Sequence, residues 1–575
     1  MQRPIRPIDS TAWGVKPKMR IDPSRWPQAA VAVLVLATGP DAAAAFSCPA
    51  GEAVAAPDLP PAAELEQRGT RIGAIEITVE DIFDPSKPEE SAAPYRWTND
   101  LHYATREEAI RSQLLFREDE AYSQQKIEET ERLLRGRRYL FDAWIEPACY
   151  HPAEQAVDLK VRVRDVWSLN PGIHFSRKGG ANNAGFGLQD QDFLGRGELV
   201  DISWARNVDR DSLQLLYDDP QLLGSWWRGR AAFSDNSDGR SADLKVEHPF
   251  YSLDTRWAAG TQLTAGDRVD TRYQQGHELD SYAERLEHFE VYAGRSSGLH
   301  DGWSRRTLAG LRYEHSDFAA LDDVLPVGPL PEDRTLVYPW IGAEWVEDDF
   351  SKAHNKDQLA RTEDLKFGRS LHAELGLATP VWGADRTAAI LALGGDGGRR
   401  LGDSRSLFYG GRLRGRIESS GLQDGLLQAD ARYYHQQRPQ LLFFAGASAA
   451  VAEHPDADHQ LLLGGDNGLR GYPLRYQSGT ESLLLTAEER IFTSWFPFRL
   501  FNVGAAAFTD VGRTWGRDIT GEEPLGWLAD VGVGLRIGNT RTGLGNVLHV
   551  DVAVPLVSQP GLDSVQLIVE TRHSF

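Results

Sequence analysis

The chain is poor in sulfur and short of basic residues. Its 575 residues include two cysteines and two methionines, and 83 acidic residues outnumber 62 lysines and arginines, for a net charge of −21. Because binding to nucleic-acid phosphates needs a basic surface, we expect no nucleic-acid partner. Scarce cysteine fits export into an oxidising periplasm. Cys48 and Cys149 could pair there or stay two unrelated thiols, and no C-x-x-C spacing points to a metal or redox site.

The chain also lacks an apolar run long enough to cross a membrane as a helix. The apolar stretch at residues 29–37, AAVAVLVLA, has roughly half of the ~20 residues that a spanning helix needs. Basic residues precede it and an A-x-A site ends at Ala45, so we predict a signal peptide over residues 1–45, with Met19 as an alternative start. A mean hydropathy of −0.42 fits either a soluble enzyme or a β-barrel, whose strands hide half of their residues from lipid.

The segment after the signal peptide changes character at residue 71. Residues 46–70 are rich in Ala and Pro and predict a flexible linker. Residues 71–166 predict a small α+β domain with the element order β-α-α-β-β. It has the strand RIGAIEITVEDIF, a Pro- and Ser-rich insertion, two helices capped by Thr105 and Ser123, and the closing strands LFDAWIEP and VDLKVRVRDVWSL.

From residue 167 onward the pattern is that of strands alone. In ELVDISWA, Val200, Ile202 and Trp204 share one face, while Asp201 and Ser203 share the other. Such alternation is typical of a membrane barrel with lipid outside and water inside, whereas a soluble sandwich would bury its apolar face. At roughly 25 residues for each strand and its turn, residues 167–575 predict a transmembrane antiparallel β-barrel of about 16 strands.

The C-terminus and the tryptophans agree with a barrel. The last strand alternates Val565, Leu567 and Val569 on its outward face and ends at Phe575. Bacterial outer-membrane barrels resemble this arrangement, and it implies that the barrel assembly machinery reads Phe575 as a signal for insertion. Tryptophans at strand ends form girdles at the membrane interface, and four suit that position: Trp226, Trp227, Trp257 and Trp495.

The stretch GGDNGLRGYP contains more than a turn requires. A hairpin would need only Asn467 and Gly468, since a type I′ turn needs positive φ at its two central residues. The adjacent L-R-G-Y resembles the V/L-R-G-F/Y motif of the bacterial outer-membrane insertase and translocase superfamily, which includes BamA, TamA and the two-partner secretion transporters. In this sequence the motif consists of Leu469, Arg470, Gly471 and Tyr472.

Two further motifs of that superfamily follow in the same order as in its members. FTDVG matches the F-x-D-x-G strand, with Phe508, Asp510 and Gly512, and Glu488 best matches the glutamate of the preceding strand. Period-two alternation places Asp510 and Glu488 on the lumen side. There the planar fork of Arg470 could bind a carboxylate bidentately, as a lysine could not.

The resemblance implies a location and a function. It identifies residues 71–166 as one periplasmic POTRA domain and residues 167–575 as a barrel surrounded by outer-membrane lipid. It implies that the LRGY loop folds into the barrel and that the POTRA domain docks a polypeptide client on a strand edge, for which RIGAIEITV and LFDAWIEP are candidates. The superfamily's insertases and transporters carry two or more POTRA domains, whereas this chain has room for one. A passive pore-forming or structural barrel is therefore the alternative.

No enzymatic activity is expected. The stretch GRSSG, residues 294–298, satisfies the G-x-S-x-G pattern, but a nucleophile elbow needs a strand-to-helix turn. These residues lie between two alternating strands, where Gly and Ser are ordinary turn residues. We therefore assign no catalytic residue, no metal and no cofactor.

Overall fold

The computed structural model describes residues 48, 54–55, 59–322, 327–517, 521, 524–543, 547–559 and 562–572. The predicted signal peptide and Phe575 lie outside the described residues. What is described comprises an N-terminal domain, which ends near residue 166, and a barrel.

The N-terminal domain is a four-stranded sheet covered by helices. Its strands have the order β1-β3-β4-β2, with β2 parallel to β4 and the other neighbours antiparallel. Leu65, Ile110, Leu134 and Val161 are fully buried in the core between sheet and helices. The elements are β1 (Val54–Ala55), α1 (Ala62–Gln67), β2 (Arg71–Glu80), α2 (Ala93–Leu101), α3 (Glu107–Arg111), α4 (Gln124–Arg135), β3 (Leu140–His151) and β4 (Ala156–Asp165).

The linker expected over residues 46–70 is wrong in its second half. Helix α1 follows Pro61, and its Leu65 is fully buried in the domain core. Cys48 forms a disulfide with Cys149 of β3, which decides between the two alternatives that the sequence left open. An Ala- and Pro-rich composition concealed the two leucines of this segment, Leu59 and Leu65, that pack in the core.

The helices also differ from the prediction. The Pro- and Ser-rich insertion contains helix α2, which the pattern did not predict. Helix α3 is short and has Arg106 as its N-cap, because the Thr105 side chain contacts Asp165 and Asp192 instead. Ser123 caps α4 as predicted, with its Oγ accepting from the Lys126 amide. None of the described helices has the length and apolar character to cross a membrane.

Twenty antiparallel strands form the closed barrel. The first ten are β5 (Leu169–Lys178), β6 (Ala181–Asp190), β7 (Leu199–Arg206), β8 (Asp211–Asp219), β9 (Arg228–Asn236), β10 (Gly239–His248), β11 (Trp257–Gln274), β12 (His277–His300), β13 (Trp303–Ala320) and β14 (Arg334–Glu347). A hairpin that is not part of the wall sheet follows, with strands β15 (Phe350–His354) and β16 (Thr362–Lys366).

The second half of the barrel contains a similar inserted pair. The wall strands are β17 (Ser370–Ala378), β18 (Ala388–Arg400), β19 (Arg405–Glu418), β20 (Gly421–Arg438), β21 (Leu441–Glu453), β24 (Glu481–Phe492), β25 (Phe501–Trp515), β26 (Leu528–Asn539), β27 (Val547–Pro555) and β28 (Gln566–Arg572). Between β21 and β24 lies the short pair β22 (Leu461–Leu463) and β23 (Gln477–Gly479).

The expected count of about 16 strands is therefore wrong, and the barrel has 20. The estimate assumed one spacing for every strand. Strands β5 to β10 all lie within residues 169–248, because they are short and joined by tight turns. Strand β12 alone has 24 residues. Average spacing cannot reveal such variation along one chain.

The barrel wall is apolar outside and polar inside. In β26, Val531, Val533 and Leu535 are exposed on the outer face, while Asp530 and Arg536 are fully buried on the lumen side. This is the alternation of a barrel that faces lipid and encloses water. We call the end of the barrel next to the N-terminal domain the proximal end, and the opposite end the distal end.

The barrel closes through a thin seam between β28 and β5. Among the described residues, which end at Arg572, one registered pair, Val569 with Arg177, joins these strands, whereas β28 pairs with β27 at seven positions. An ion pair of 3.1 Å between Lys178 Nζ and Glu570 Oε2 adds to the seam. Few ladder hydrogen bonds therefore hold the first and last strands together.

The G-x-S-x-G stretch was expected to lie in a turn, but it lies inside β12. That strand continues to His300, and the register with β13 shifts between Ser296 and Leu299. The turn to β13 lies at Asp301 and Gly302. A bulge between two barrel strands has no strand-to-helix geometry, so the stretch is not a nucleophile elbow.

Candidate functional site

The distal loop between β21 and β24, residues 454–480, folds back into the lumen. Its tip is closed by hydrogen bonds from the Leu469 amide to the Gly464 carbonyl, 3.0 Å, and from the Gly465 amide to the Pro473 carbonyl, 2.7 Å. Gly468 has φ +133°, a conformation that favours glycine. The loop is thus a compact turn that presents Arg470 to the inner wall.

Arg470 lies between two strand carboxylates. Its Nε and Nη2 donate to the two oxygens of Asp510 at 2.7 and 2.9 Å, and its Nη1 donates to Glu488 Oε1 at 2.6 Å. The guanidinium also stacks on Phe508, with Cζ 3.4 Å from the ring centroid. All of these side chains are buried. One guanidinium therefore binds two neighbouring strands, β24 and β25, through charge-assisted hydrogen bonds.

The other motif residues bring the loop backbone close to the wall. The Gly471 amide donates to Asp530 Oδ2 at 3.0 Å, and a Cβ at Gly471 would lie 2.6 Å from the Asp530 Cβ. The Tyr472 hydroxyl donates to the Ala529 carbonyl at 2.9 Å. Leu469 is fully buried, and a Cβ at Gly512 would lie 3.3 Å from its Cδ2. The eight motif residues, from the loop, β24 and β25, thus meet at one place.

Two acidic partners of this site were missed from the sequence. Asp530 of β26 accepts from the Gly471 amide, and Asp551 of β27 lies 3.9 Å from Arg470 Nη1 and pairs with Arg536. Both are acidic residues at lumen positions of strands that follow the FTDVG motif. Strand parity could have placed them inside the lumen, but nothing local in the sequence aims them at the loop.

A polar chain leads from Arg470 to the proximal end of the lumen. Glu488 accepts from Arg470 through Oε1 and from Arg490 Nε through Oε2, the latter at 3.0 Å. Arg490 Nη1 donates in turn to the Lys356 carbonyl at 2.8 Å. Lys356 belongs to the turn between β15 and β16. The distal loop and this proximal hairpin are therefore joined through two side chains of β24.

The proximal hairpin, residues 350–366, extends across the lumen. Its Leu359 is buried in an apolar cluster on the inner wall with residues such as Leu442, Phe492 and Val547. The Tyr434 hydroxyl donates to Asp357 at 2.8 Å. The hairpin leaves the wall between β14 and β17 but contacts β20, β21, β24 and β27, so it crosses the lumen at the proximal end of the barrel.

The N-terminal domain binds the base of this hairpin. Arg135 of α4 donates from Nε and Nη2 to the two oxygens of Asp364, both at 2.7 Å, and Lys352 pairs with Glu131 at 2.6 Å. Arg361 Nη2 donates to the Leu140 carbonyl at 2.7 Å. The hairpin is thus held between the domain and the barrel wall.

A polar cavity of about 920 Å³ lies beside the hairpin, between α4 and the inner wall at β18 to β20. Basic side chains dominate its lining, including Arg132, Arg135, Arg361, Arg412 and Arg432. The polar walls of this cavity suit a hydrated segment.

A shared proton links the domain to the first proximal turn of the barrel. The single hydroxyl of Thr105 lies 2.7 Å from both Asp165 Oδ1 and Asp192 Oδ2. Because one hydroxyl has one hydrogen, one carboxyl must be protonated and donate to Thr105. Burial, with the nearby charge of Asp165, raises the pKa of Asp192 to about 7. Asp192 also accepts from the Gly197 amide, and its raised pKa places the shared proton on its carboxyl below about pH 7.

A second cluster of ionisable groups lies between the distal loop and strand β20. Asp424, Asp456 and His459 offer possible metal-ligand atoms within 4.8 Å of one another. Arg416 already donates two hydrogen bonds to Asp456, at 2.8 and 3.0 Å. A cation would have to compete with this guanidinium, so we interpret the cluster as part of the ion pairs that hold the loop.

Comparison with known proteins finds similar chains among solved structures. No protein-family model and no curated protein matches the chain. BamA from Haemophilus ducreyi lacking POTRA domains 1–3 is 11% identical, over 87% of this chain and 84% of that one, with a TM-score of 0.37. CdiB from Acinetobacter baumannii is 12% identical, over 90% of this chain and 76% of that one, with a TM-score of 0.46. CdiB from Escherichia coli is 14% identical, over 87% of this chain and 76% of that one, with a TM-score of 0.45. The chain is similar to these proteins.

Proposed function

We propose that this protein is an outer-membrane barrel that inserts or translocates polypeptides, with its proximal end and N-terminal domain in the periplasm. The observation that carries the proposal is the buried Arg470 network, which holds a surface loop inside a polar lumen. A polypeptide transporter needs a lumen that stays closed without a client, and this loop occupies the lumen. The apolar outer wall supports a membrane location.

The N-terminal domain would act as a POTRA domain that docks the client. Strand β2 is the better of the two candidate edges, because it is the last strand of the sheet and beyond Ile75 no described strand pairs with its outer side. The outer edge of β3 is already occupied. Arg361 donates to the Leu140 carbonyl, and the Ile145 amide donates to Glu131. A client strand could add to β2 through main-chain hydrogen bonds.

In the resting state the hairpin and the distal loop would close the lumen together. A client that binds the domain would pull on the same element, α4, that holds the hairpin through Arg135 and Glu131. Release of the hairpin would expose the basic cavity as an entrance. We assign no catalytic residue to this process.

Conductance in planar bilayers separates the proposal from a passive pore. The closed lumen predicts small, flickering conductance for the full chain, and a large steady conductance would favour the passive barrel. A photocrosslinking residue at Thr78 in β2 tests docking separately. It should capture a polypeptide in cells, whereas one at Glu154, in the turn between β3 and β4, should not. An equal yield at the two positions would contradict docking on β2.

A further inference from the structure

Helix α2 presents an apolar face that nothing in the described structure covers. Trp97 and Leu101, one helical turn apart, are 65% and 75% exposed, and Tyr103, just after the helix, is 66% exposed. No residue of α2 is buried. Contiguous exposed apolar side chains of this size are rare on a soluble surface and indicate a binding surface. We call these three residues the α2 patch.

The opposite side of α2 fixes its orientation. The Asn99 side chain forms two hydrogen bonds with the Phe83 backbone. It accepts from the Phe83 amide at 3.1 Å and donates to the Phe83 carbonyl at 2.8 Å. The rings of Tyr95 and Phe83 pack at 4.7 Å. The helix therefore cannot rotate to bury Trp97 in its own domain without breaking these contacts.

The α2 patch lies next to the proximal rim of the barrel. The Tyr95 hydroxyl donates to the Phe498 carbonyl at 3.2 Å, in the turn between β24 and β25. In that turn Phe498 and Trp495 are themselves exposed, and they follow outward-facing residues of β24 such as Ile491. The exposed apolar side chains of this turn and those of α2 therefore lie at the same rim of the barrel.

The insertion that contains α2 also runs beneath the seam. One end contacts the turn between β26 and β27, where Arg541 pairs with Glu90 at 2.5 Å. The other end contacts the turn between β6 and β7, where the Arg106 amide donates to the Gly195 carbonyl at 2.8 Å. Strands β27, β28, β5 and β6 lie between these two turns in the barrel order.

We propose that α2 is an interfacial membrane helix whose patch inserts into the periplasmic phospholipid leaflet beneath the seam. The inference rests on the proposed membrane location of the barrel. Tryptophan and tyrosine favour the headgroup level of a bilayer, and a short amphipathic helix binds there by its apolar face. The other rim tryptophans, Trp226, Trp227 and Trp257, also lie at the proximal end, in turns or at the start of a strand.

The test uses three single-cysteine reporters in the full chain, whose own cysteines are joined in a disulfide. Leu101→Cys carries the environment-sensitive dye NBD on the α2 patch. Val533→Cys carries it on the outer wall, and Glu154→Cys in the turn between β3 and β4. That turn lies one strand length from the barrel, roughly 30 Å for ten residues. Tyr103→Cys serves as a second patch reporter should Leu101→Cys fail to fold. Each variant is placed in phospholipid nanodiscs with or without a spin-labelled lipid quencher.

We expect blue-shifted emission and loss of most of the signal to the quencher at positions 101 and 533, and neither effect at 154. Quenching at 533 but not at 101 and 103 would overturn the α2 proposal while leaving the membrane location intact. A protein partner on the patch would give that same result and overturn the proposal equally. Absence of quenching at 533 would instead overturn the membrane location of the barrel.

Discussion

At the residue scale, attachment of the distal loop depends on the contact between Arg470 and Asp510. Removing one member of a buried, hydrogen-bonded ion pair costs about 3–5 kcal/mol, because the other charge stays buried without its partner. We expect Arg470→Ala and Asp510→Ala each to release the loop and the double variant to be little worse than either. Protease sensitivity of the loop measures this double-mutant cycle.

Two variants control that cycle. Arg470→Lys should restore the loop only in part, because an ammonium lacks the planar fork. Arg475→Ala removes another bidentate pair of the same loop, with Asp209 at 2.8 Å, but this pair lies at the distal rim and is less buried. In the Arg475→Ala variant the tip of the distal loop should stay attached to the inner wall. Simple addition of the two alanine effects would show that the contact with Asp510 does not hold the loop.

The raised pKa of Asp192 predicts that the stability of the N-terminal domain depends on pH. Its pKa is about 7 in the folded protein against 3.8 for a free carboxyl, so the folded state binds the proton more tightly. The free energy of unfolding therefore falls as pH rises from about 4 to about 7, and it levels off at higher pH. Between about pH 6 and pH 8 the expected decrease is about 1.4 kcal/mol. The urea midpoint of the domain, followed by tryptophan fluorescence, measures this change.

Asp192→Asn should remove that pH dependence. The amide can donate to Thr105 Oγ1 and accept from the Gly197 amide without a proton from solvent. Asp190→Asn is the matched control, since Asp190 accepts from the Asp192 amide but does not contact Thr105. If the Asp192→Asn variant kept the full pH response, the proton would reside on another group.

At the scale of elements, the proximal hairpin should behave as a plug. Leu359→Asp places a charge in the apolar cluster on the inner wall and should displace the hairpin tip, at a cost of roughly 2–5 kcal/mol. We expect a larger and steadier conductance in planar bilayers. Loop 454–480 should remain protease-resistant, because Arg470 keeps its two carboxylates.

Ala360→Asp is the control for charge alone. Ala360 is exposed and has φ +56°, a conformation that Asp tolerates better than most residues. Its conductance should match that of the unaltered protein. Equal opening by both substitutions would mean that added charge in the hairpin, not loss of the Leu359 contact, opens the pore.

Strand alternation was read correctly from the sequence because it is local. Two residues along a strand return to the same face, so the lumen side of Asp510 and Glu488 follows from their own neighbours. Which lumen acid meets the loop depends on barrel curvature, and this is why Asp530 and Asp551 were missed. The hairpin was missed for a related reason, since a short polar strand pair looks the same outside a barrel as inside it.

At the scale of the whole molecule, the seam between β28 and β5 should open for the client. Arg177→Cys with Val569→Cys places two thiols at a registered pair of the seam. Directly opposed residues have Cα atoms about 4.5–5.5 Å apart, within reach of a disulfide. Oxidation should stop client insertion without changing conductance, since the lumen plug is untouched. The measurement compares client yield before and after reduction.

Val550→Cys with Val569→Cys is the matched control. It shares one cysteine but joins β27 to β28, which are already paired at seven positions. Its oxidation should leave client yield unchanged. Equal loss from both disulfides would indicate damage to β28 rather than a need for the seam to open. Unchanged yield from both would show that the client passes through the lumen alone.

The sequence alone determined the features that rest on local chemistry. These are the alternating wall from residue 167, the lumen side of Asp510 and Glu488, and the α4 cap at Ser123, and each depends on residues within a few positions. Only the tertiary structure decided the 20 strands, the pairing of Cys48 with Cys149 and the path of the hairpin to Leu442. These depend on closure of the whole barrel and on contacts between distant segments, which the order of neighbouring residues does not encode.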